Sequence, residues 1–437
     1  MNHPLHIRGA QVWDHKTEVK EQIVRRDFFT VGDRIVDQAA PGAIEVDLDG
    51  YTLFPGLINA HDHLELNHYP RSKFRERYDN AHQWGEDMNV RLNDEPYKSL
   101  RAYPLEDRCF IGGLKNLLCG ATTVVHHNPP HKCLFKSDFP VRVLKEYGWA
   151  HSLHFDTDEE IVRSYRSTPK EWPWFIHLAE GTDEVAAGEY QRLKTLGCIG
   201  KNTVMVHGVG LLLDDICDSH QIYGYGHGMQ MPIVWCPTTN MYLLGKTDHP
   251  RMGWNTQLLL GSDSRLTAQG DLLDEIRFLY EKQVAIHQSG RLEENNIHHH
   301  LPTEINGVDI WAFSTILTAM QATSREGETH GKNEACHYLR RNLFADWFLL
   351  QDKGMDSGIQ LCQSRRADLA LVVYDSLPRI GDPDVMAKFP HIQTVGAILD
   401  GVPKAIHIDL ARRIHRCSLK EPGLEVEPLP KRGFFFT

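Results

Sequence analysis

The chain has 437 residues, 41% hydrophobic and 24% charged, with a formal net charge of -11, which is enough apolar chain for one large barrel or two to three domains. Acidic and basic residues are mixed, with no basic stripe to argue for nucleic acid or a membrane surface, so a small molecule is the expected partner. Nine cysteines without a C-x-x-C pair, no signal-peptide layout at the start and no apolar run of membrane-spanning length lead us to expect a cytoplasmic protein with reduced thiols.

The first ~50 residues alternate apolar and polar positions in short pieces, LHIRGAQVWD, DFFTVGDRIVD and GAIEVDLDG, which predicts small β-strands joined by turns. FPGLINAHDHLELN then ends an apolar run with His61 and His63 two residues apart. In a strand both imidazoles project to one side and can meet one ion. With 26 histidines in the chain, that pair alone carries little weight, and other residues must join it. The next stretch, LELNHYPRSKFRERYDNAHQWGEDMNV, is long, aromatic and charged, and predicts a loop or helical lid over the mouth of a pocket.

Beyond it, helical periodicity alternates with short apolar runs. EDRCFIGGLKNLLCG and DEVAAGEYQRLKTLG predict helices closed by glycine, while ATTVVHH, GWAHSLHF, WPWFIHLAE, NTVMVHG, MPIVWCP and TQLLLGSD predict buried strands. The alternation implies parallel β/α units. Counting the run into His61, seven strands are legible, and an eighth is expected hidden ahead of Trp172. His177, His207, Cys236 and Asp263 each close one run, roughly 30 residues apart, the length of one strand plus one helix. In a closed (β/α)8 barrel all four sit at the C-terminal strand ends, where such barrels carry their chemistry. His61, His63, His177, His207 and Asp263 then converge as nitrogen and oxygen donors of the kind that Zn²⁺ or Fe²⁺ takes. HHNPPH, from His126 to His131, lies on one loop and reads as rim packing rather than a second metal site, and NNIHHHLPTE is read with the same caution.

β texture returns in ADLALVVYD and TVGAILDGVPKAIHID. The expected organisation is a composite β-sandwich from residues 1–52 and 366–437 around a barrel of residues 53–365. The apolar tail GFFFT can dock on a neighbouring copy, giving a homo-oligomer, or on its own β-domain.

The motifs PGLINAHDH, FIHLAEG, MVHGVGL, WCPTTNMYLLG and LLLGSDS, in that order, resemble the first, fifth, sixth, seventh and eighth strand motifs of the amidohydrolase superfamily. The Glu three residues after the histidine in His177-Leu-Ala-Glu180 resembles the mononuclear-metal deaminase and triazine-hydrolase branch, similar to cytosine deaminase. No strand-ending lysine upstream of His177 stands out to bridge two metals. Carried over, the resemblance implies His61, His63, His177 and Asp263 as ligands of one zinc ion, with iron as the alternative. It implies His207 beside a metal-bound water, Glu180 as proton shuttle and Asp263 as acceptor of the water proton, with hydroxide made available at neutral pH as the attacking species. Just past the strand ends, Glu65, Asn67, His127, His154, Asn240 and Arg265 are candidates for contact with substrate. Arg265 either holds an anionic group or pairs with Glu65.

The reaction expected is hydrolysis of a non-peptide C–N bond in a small cyclic, nitrogen-rich molecule, foremost the deamination of an amino-heterocycle. Cyclic or linear amide hydrolysis in the same site is the alternative, and a non-catalytic, metal-stabilised scaffold is the reading from outside enzymology. Residues 291–365 depart from the family pattern, so nothing about specificity or subunit contacts is carried over there.

Overall fold

The structure, a computed structural model, describes residues 3–13, 23–223, 231–247, 256–288 and 344–430. Most of the departing segment, the NNIHHHLPTE run and the GFFFT tail lie outside the described residues.

Eight short strands run parallel: β1 (Leu57–Asp62), β2 (Ala121–His126), β3 (Arg142–Val143), β4 (Gly148–Ser152), β5 (Trp174–Leu178), β6 (Thr203–His207), β7 (Met231–Trp235) and β8 (Thr256–Leu260). β1, β2, β5 and β6 are buried at every position, as parallel strands covered on both faces must be. They form a three-stranded sheet, β3-β2-β1, and a five-stranded sheet from β4 to β8 in sequence order. At one seam β1 meets the end of β8 through a parallel bridge between Asp62 and Asp263. There the Asp263 N–H donates to the His61 carbonyl at 3.0 Å, and the His63 N–H donates to the Asp263 carbonyl at 3.2 Å. No ladder joins β3 to β4 among the described residues. The strand missing from the sequence count is β3, which lies ahead of Trp172 but also ahead of β4. Two residues are too few to leave a periodic trace.

Helices alternate with these strands. α1 (Ala81–Arg91) starts at Asn80, whose side chain accepts from the Gln83 N–H. α2 (Leu105–Leu118) ends near Gly120 at φ 78°, and α3 (Glu184–Thr195) starts at Asp183, which accepts from the Ala186 N–H, and ends at Gly197 at φ 71°. α4 (Pro237–Leu244) has proline in its first turn and left-handed Gly245 at its end. α5 (Leu272–Gln288) follows β8. No helix among the described residues is long and apolar enough to cross a membrane.

The two ends of the chain meet elsewhere. Tyr51–Pro55 pairs antiparallel with Trp347–Gln351, which pairs with Leu369–Tyr374 inside a nine-stranded sheet. A four-stranded sheet built on Leu5–Arg8 packs against it, because Leu5, Ile7, Phe28 and Val46 share a core with Leu53, Trp347 and Leu371. The expected boundary at residues 365 and 366 gave Trp347–Gln351 to the barrel, whereas the strand lies in this sheet. A short apolar run carries no sign of which sheet it will join.

Beneath β1 lies a buried polar network. Asp62 points away from its histidine neighbours and accepts from Lys115 Nζ at 2.8 Å, Asn116 Nδ2 at 2.7 Å and Asn67 Nδ2 at 2.8 Å. Lys115 Nζ also donates to Ser262 Oγ at 3.0 Å, and Asn59 Nδ2 donates to the same oxygen at 2.7 Å, tying β1 to the turn after β8. Both charges are fully buried, so removing one strands the other in the interior. Lys115→Met is expected to cost about 3–5 kcal/mol of stability, read from the midpoint and slope of denaturant unfolding.

Candidate metal centre and cavity

The strand ends deliver their side chains to one rim. His61 and His63 leave β1 on the same side, and His177 and His207 come from the last turns of β5 and β6. The backbone bends sharply here: Ala179, His207 and Asp263 have φ of 54°, 73° and 52°. Non-glycine residues hold this conformation only where their surroundings impose it.

Among the described residues, His61, His63 and His177 form the one group of three whose donor atoms, all within 4.8 Å of one another, could hold a metal ion. His177 Nδ1 sits 2.8 Å from the His151 carbonyl, which can only accept, so the proton is on Nδ1 and Nε2 presents its lone pair 3.2 Å from His61 Nε2. Asp263 Oδ1 is 3.5 Å from Nε2 of both His61 and His63, while its Oδ2 accepts from Thr267 Oγ1 at 2.7 Å. Burial pushes the His61 imidazole down to about 3 and that of His177 well below its ordinary value. Burial alone would raise the Asp263 carboxyl, yet the adjoining imidazoles, His61 first and then His63 and His207, hold it below the usual carboxylate range.

His207 Nδ1 donates to Asn240 Oδ1 at 2.8 Å, and its Nε2 lies 3.5 Å from Glu180 Oε1. Burial pushes the Glu180 carboxyl well above its ordinary value, and the negative charges of Asp263 and Glu189 add to the effect. A carboxyl so placed keeps its proton to higher pH.

These groups open into a cavity of about 420 Å³ whose lining includes His63, His177, Glu180, His207 and Asp263. Its far wall is apolar: Trp84, Gly85 and Met88 of α1, with Leu66, Phe155 and Leu266. The expected lid is therefore a helix. Trp84 is fixed by its Nε1 donating to the Ser72 carbonyl at 3.0 Å, and Gly85 is small because a Cβ there would stand 2.6 Å from the Phe155 ring.

None of the six residues put forward for substrate contact lines this cavity. Arg265 is bidentate to Glu421 at 2.8 and 2.5 Å, and Glu421 is shared with Arg366. It reaches neither Glu65 nor the cavity, and instead ties the loop after Asp263 to the C-terminal segment. Glu65 accepts from Asn128 Nδ2 at 2.6 Å. Asn67 clamps Asp62 and accepts from the Arg265 N–H at 3.1 Å. His127 is bonded to the Ala150 carbonyl at 2.9 Å and packs 4.2 Å from His177, ring to ring, which fits the rim-packing reading of HHNPPH. His154 stacks on His82 at the mouth, and Asn240 orients His207. Each sits just past a strand end, but that rule gives nearness to the rim and not the direction of the side chain.

Sequence reasoning missed His151, which lines the cavity, and Glu189. The Glu189 signal was available: Ala186, Glu189, Tyr190 and Leu193 are the buried residues of α3, and a carboxylate on a buried helical stripe is unusual.

No protein-family model matches the chain, and no curated protein matches it by sequence. Solved structures do match it in fold. An adenosine deaminase from Xanthomonas campestris with bound zinc superposes with a TM-score of 0.61 at 15% identity, over 89% of this chain and 96% of that one. Atrazine chlorohydrolase from Arthrobacter aurescens, complexed with zinc, gives 0.60 at 15% identity over 86% and 94%. Guanine deaminase from E. coli gives 0.58 at 13% identity over 86% and 99%. With its parallel β/α units and its rim of histidines and a carboxylate, the chain has the fold of these solved structures.

Gly261, just before the β8 turn, makes the approach of His61 possible. A Cβ there would lie 2.8 Å from His61 Cβ, 2.9 Å from Val234 Cγ1 and 3.0 Å from Cys236 Sγ. Gly261→Ala is expected to weaken metal affinity at least about tenfold, measured by titration against a chelator of known affinity. A second expectation concerns Glu275, which accepts from the Thr238 N–H at 2.9 Å and braces the start of α4. Burial pushes its carboxyl up to about 8 from an ordinary 4.5. The unfolded chain then loses this proton before the folded one does, so the contribution is complete below pH ~4.5 and disappears as pH rises through ~8. Glu275→Gln should flatten that part of the stability profile in unfolding experiments between these limits.

Proposed function

We propose that the protein is a metal-dependent hydrolase of a C–N bond in a small, cyclic, nitrogen-rich molecule, and foremost a deaminase of an amino-heterocycle. In this reading the two parallel sheets close as one (β/α)8 barrel, and the sheets at the chain ends form a composite β-sandwich beside it. The supporting observation is that Glu180 and His207 face each other at 3.5 Å on the same cavity that His63, His177 and Asp263 line.

The donor set fits one divalent ion. Three imidazoles lie within reach of one ion, Asp263 Oδ1 stands 3.5 Å from Nε2 of two of them, and β4 ends in His151-Ser152 with no lysine to bridge a second metal. Zinc is the metal proposed, with iron as the alternative. When bound, the ion supplies the Lewis acidity that makes water nucleophilic at neutral pH.

The side chains supply the rest. Asp263, with Oδ2 engaged by Thr267, keeps Oδ1 turned to the histidines and accepts the proton of the attacking water. His207, its proton held on Nδ1 by Asn240, turns the Nε2 lone pair to the same space, where it accepts from and orients the attacking water. Glu180, whose carboxyl keeps its proton to higher pH, delivers it to the leaving nitrogen, so that ammonia departs neutral. The lid wall of Trp84, Met88 and Phe155 receives a flat ring and keeps bulk water away.

The test is a panel of amino-heterocycles and cyclic amides assayed with the zinc-loaded protein. Ammonia release is the expected result, ring opening without ammonia would give the site to amide hydrolysis, and metal binding with no turnover would leave a scaffold. Glu180→Gln is expected to retain its zinc and to lose about 10²–10⁴-fold in kcat, measured by ammonia release beside metal analysis.

A further inference from the structure

We propose that Glu189 is a positioning residue that joins the lid helix to the turn carrying Glu180, so that one buried carboxylate sets both the closure of the cavity and the aim of the proton donor. The proposal rests on the reading of Glu180 given above.

Glu189 is only 5% exposed, lies on α3 and lines the same cavity as Glu180. Its Oε2 accepts from the Ala179 N–H at 2.6 Å. Ala179 is the left-handed residue immediately ahead of Glu180, and a β-carbon in that conformation needs an outside hold to stay there. The other oxygen of Glu189 lies 3.1 Å from Nε2 of His82, on the first turn of α1. One carboxylate therefore touches both the turn and the lid.

The backbone joins the same two segments. The Ala81 N–H, at the start of α1, donates to the Glu180 carbonyl at 2.9 Å, and the Thr182 N–H donates to the Asp79 carbonyl at 2.7 Å. Asn80 and Gly181 form an antiparallel bridge, and Asn80 Nδ2 donates to Asp183 at 2.7 Å. Beyond His82, the lid is stapled outward by His154, which stacks on it at 4.4 Å and reaches Glu86 at 3.1 Å. A lid fastened to the proton donor's own backbone cannot lift without turning that donor. Glu189 is the side chain that spans the joint.

The consequence can be separated from a purely structural role. Glu189→Leu removes both contacts, whereas the side-chain carbonyl of Glu189→Gln still accepts from the Ala179 N–H. With the substrate that releases ammonia, Glu189→Leu is expected to lower kcat at least about tenfold at unchanged zinc content, and Glu189→Gln to stay within about threefold of wild type. Placed in a Glu180→Gln background, the Leu substitution should change kcat by less than about twofold, because its effect passes through Glu180. An equal loss in both backgrounds, or no loss in either, overturns the proposal. Hydrogen exchange reads the joint without turnover: in Glu189→Leu, amides of residues 79–91 and 177–182 should lose protection together. Unchanged protection, or loss in one segment alone, also overturns it. Joint loss of protection in a protein that hydrolyses nothing on the panel would reject the catalytic reading while leaving the lid-to-turn joint in place.

Discussion

The buried pairing of Asp62 with Lys115 is the constraint on which the rest of the site depends. A strand turns alternate side chains to opposite sides, so fixing Asp62 on the outer side of β1 fixes His61 and His63 on the inner one. Lys115 comes from α2 and reaches Ser262 as well, so a single ammonium holds helix, first strand and last turn in one register. A slip of one residue would bury both imidazoles in the wrong layer and bring Asp62 to the rim. Taking two charges out of water is costly and seldom adds net stability over an apolar pair. What the pair contributes here is uniqueness of register, the property a five-residue constellation from four strands needs most.

From that register the remaining geometry follows by covering and bending. β5 and β6 end in left-handed residues, Ala179 just after one and His207 closing the other, and the β8 turn does so at Asp263. Each bend lifts a side chain out of the strand's plane and over the cavity, and each is held by partners: Ala179 by Glu189, His207 by Asn240, and Asp263 by Thr267 and the backbone of His61. Strain is thus gathered at the rim and restrained by side chains packed around it, as in sites that must be stiff before the reaction starts.

Much of this was legible in the sequence, and the boundary of legibility has a physical origin. That His61, His63, His177, His207 and Asp263 share one rim could be read because strand ends recur at a fixed interval and because metal donors are few in kind. Glu180 was found through its spacing from His177 and the resemblance that spacing carries. The lid was visible as an aromatic excursion too long for a connection. β3 escaped because two residues have no period, and Trp347–Gln351 was misplaced because an apolar pentapeptide does not name its partner strand. The contacts proposed for substrate were the weakest part. Asn67, Asn240 and Arg265 are polar and sit at the rim, yet all three are taken up by neighbours, and which polar group is left free depends on pairing across the whole chain.

The electrostatics of the rim give the strongest reason to place a cation in it. Nε2 of His177 turns its lone pair to Nε2 of His61 at 3.2 Å; a neutral His61 meets it either with an Nε2–H or, with its proton on the unpartnered Nδ1, with a second lone pair that calls for a positive centre between them. Burial disfavours a proton in that role, since it holds both imidazoles neutral at ordinary pH. Meanwhile Asp263, held below the usual carboxylate range by these imidazoles, lies beside them, and a buried carboxylate calls for a positive partner. A divalent ion meets all three demands at once: it accepts both lone pairs, balances Asp263, and is bound more tightly the more completely the imidazoles are kept from protons. The same burial that disfavours protonated histidine therefore favours the metal, and it leaves Glu180, 3.5 Å from His207 on the same cavity, as the group best suited to carry the proton that the histidines cannot.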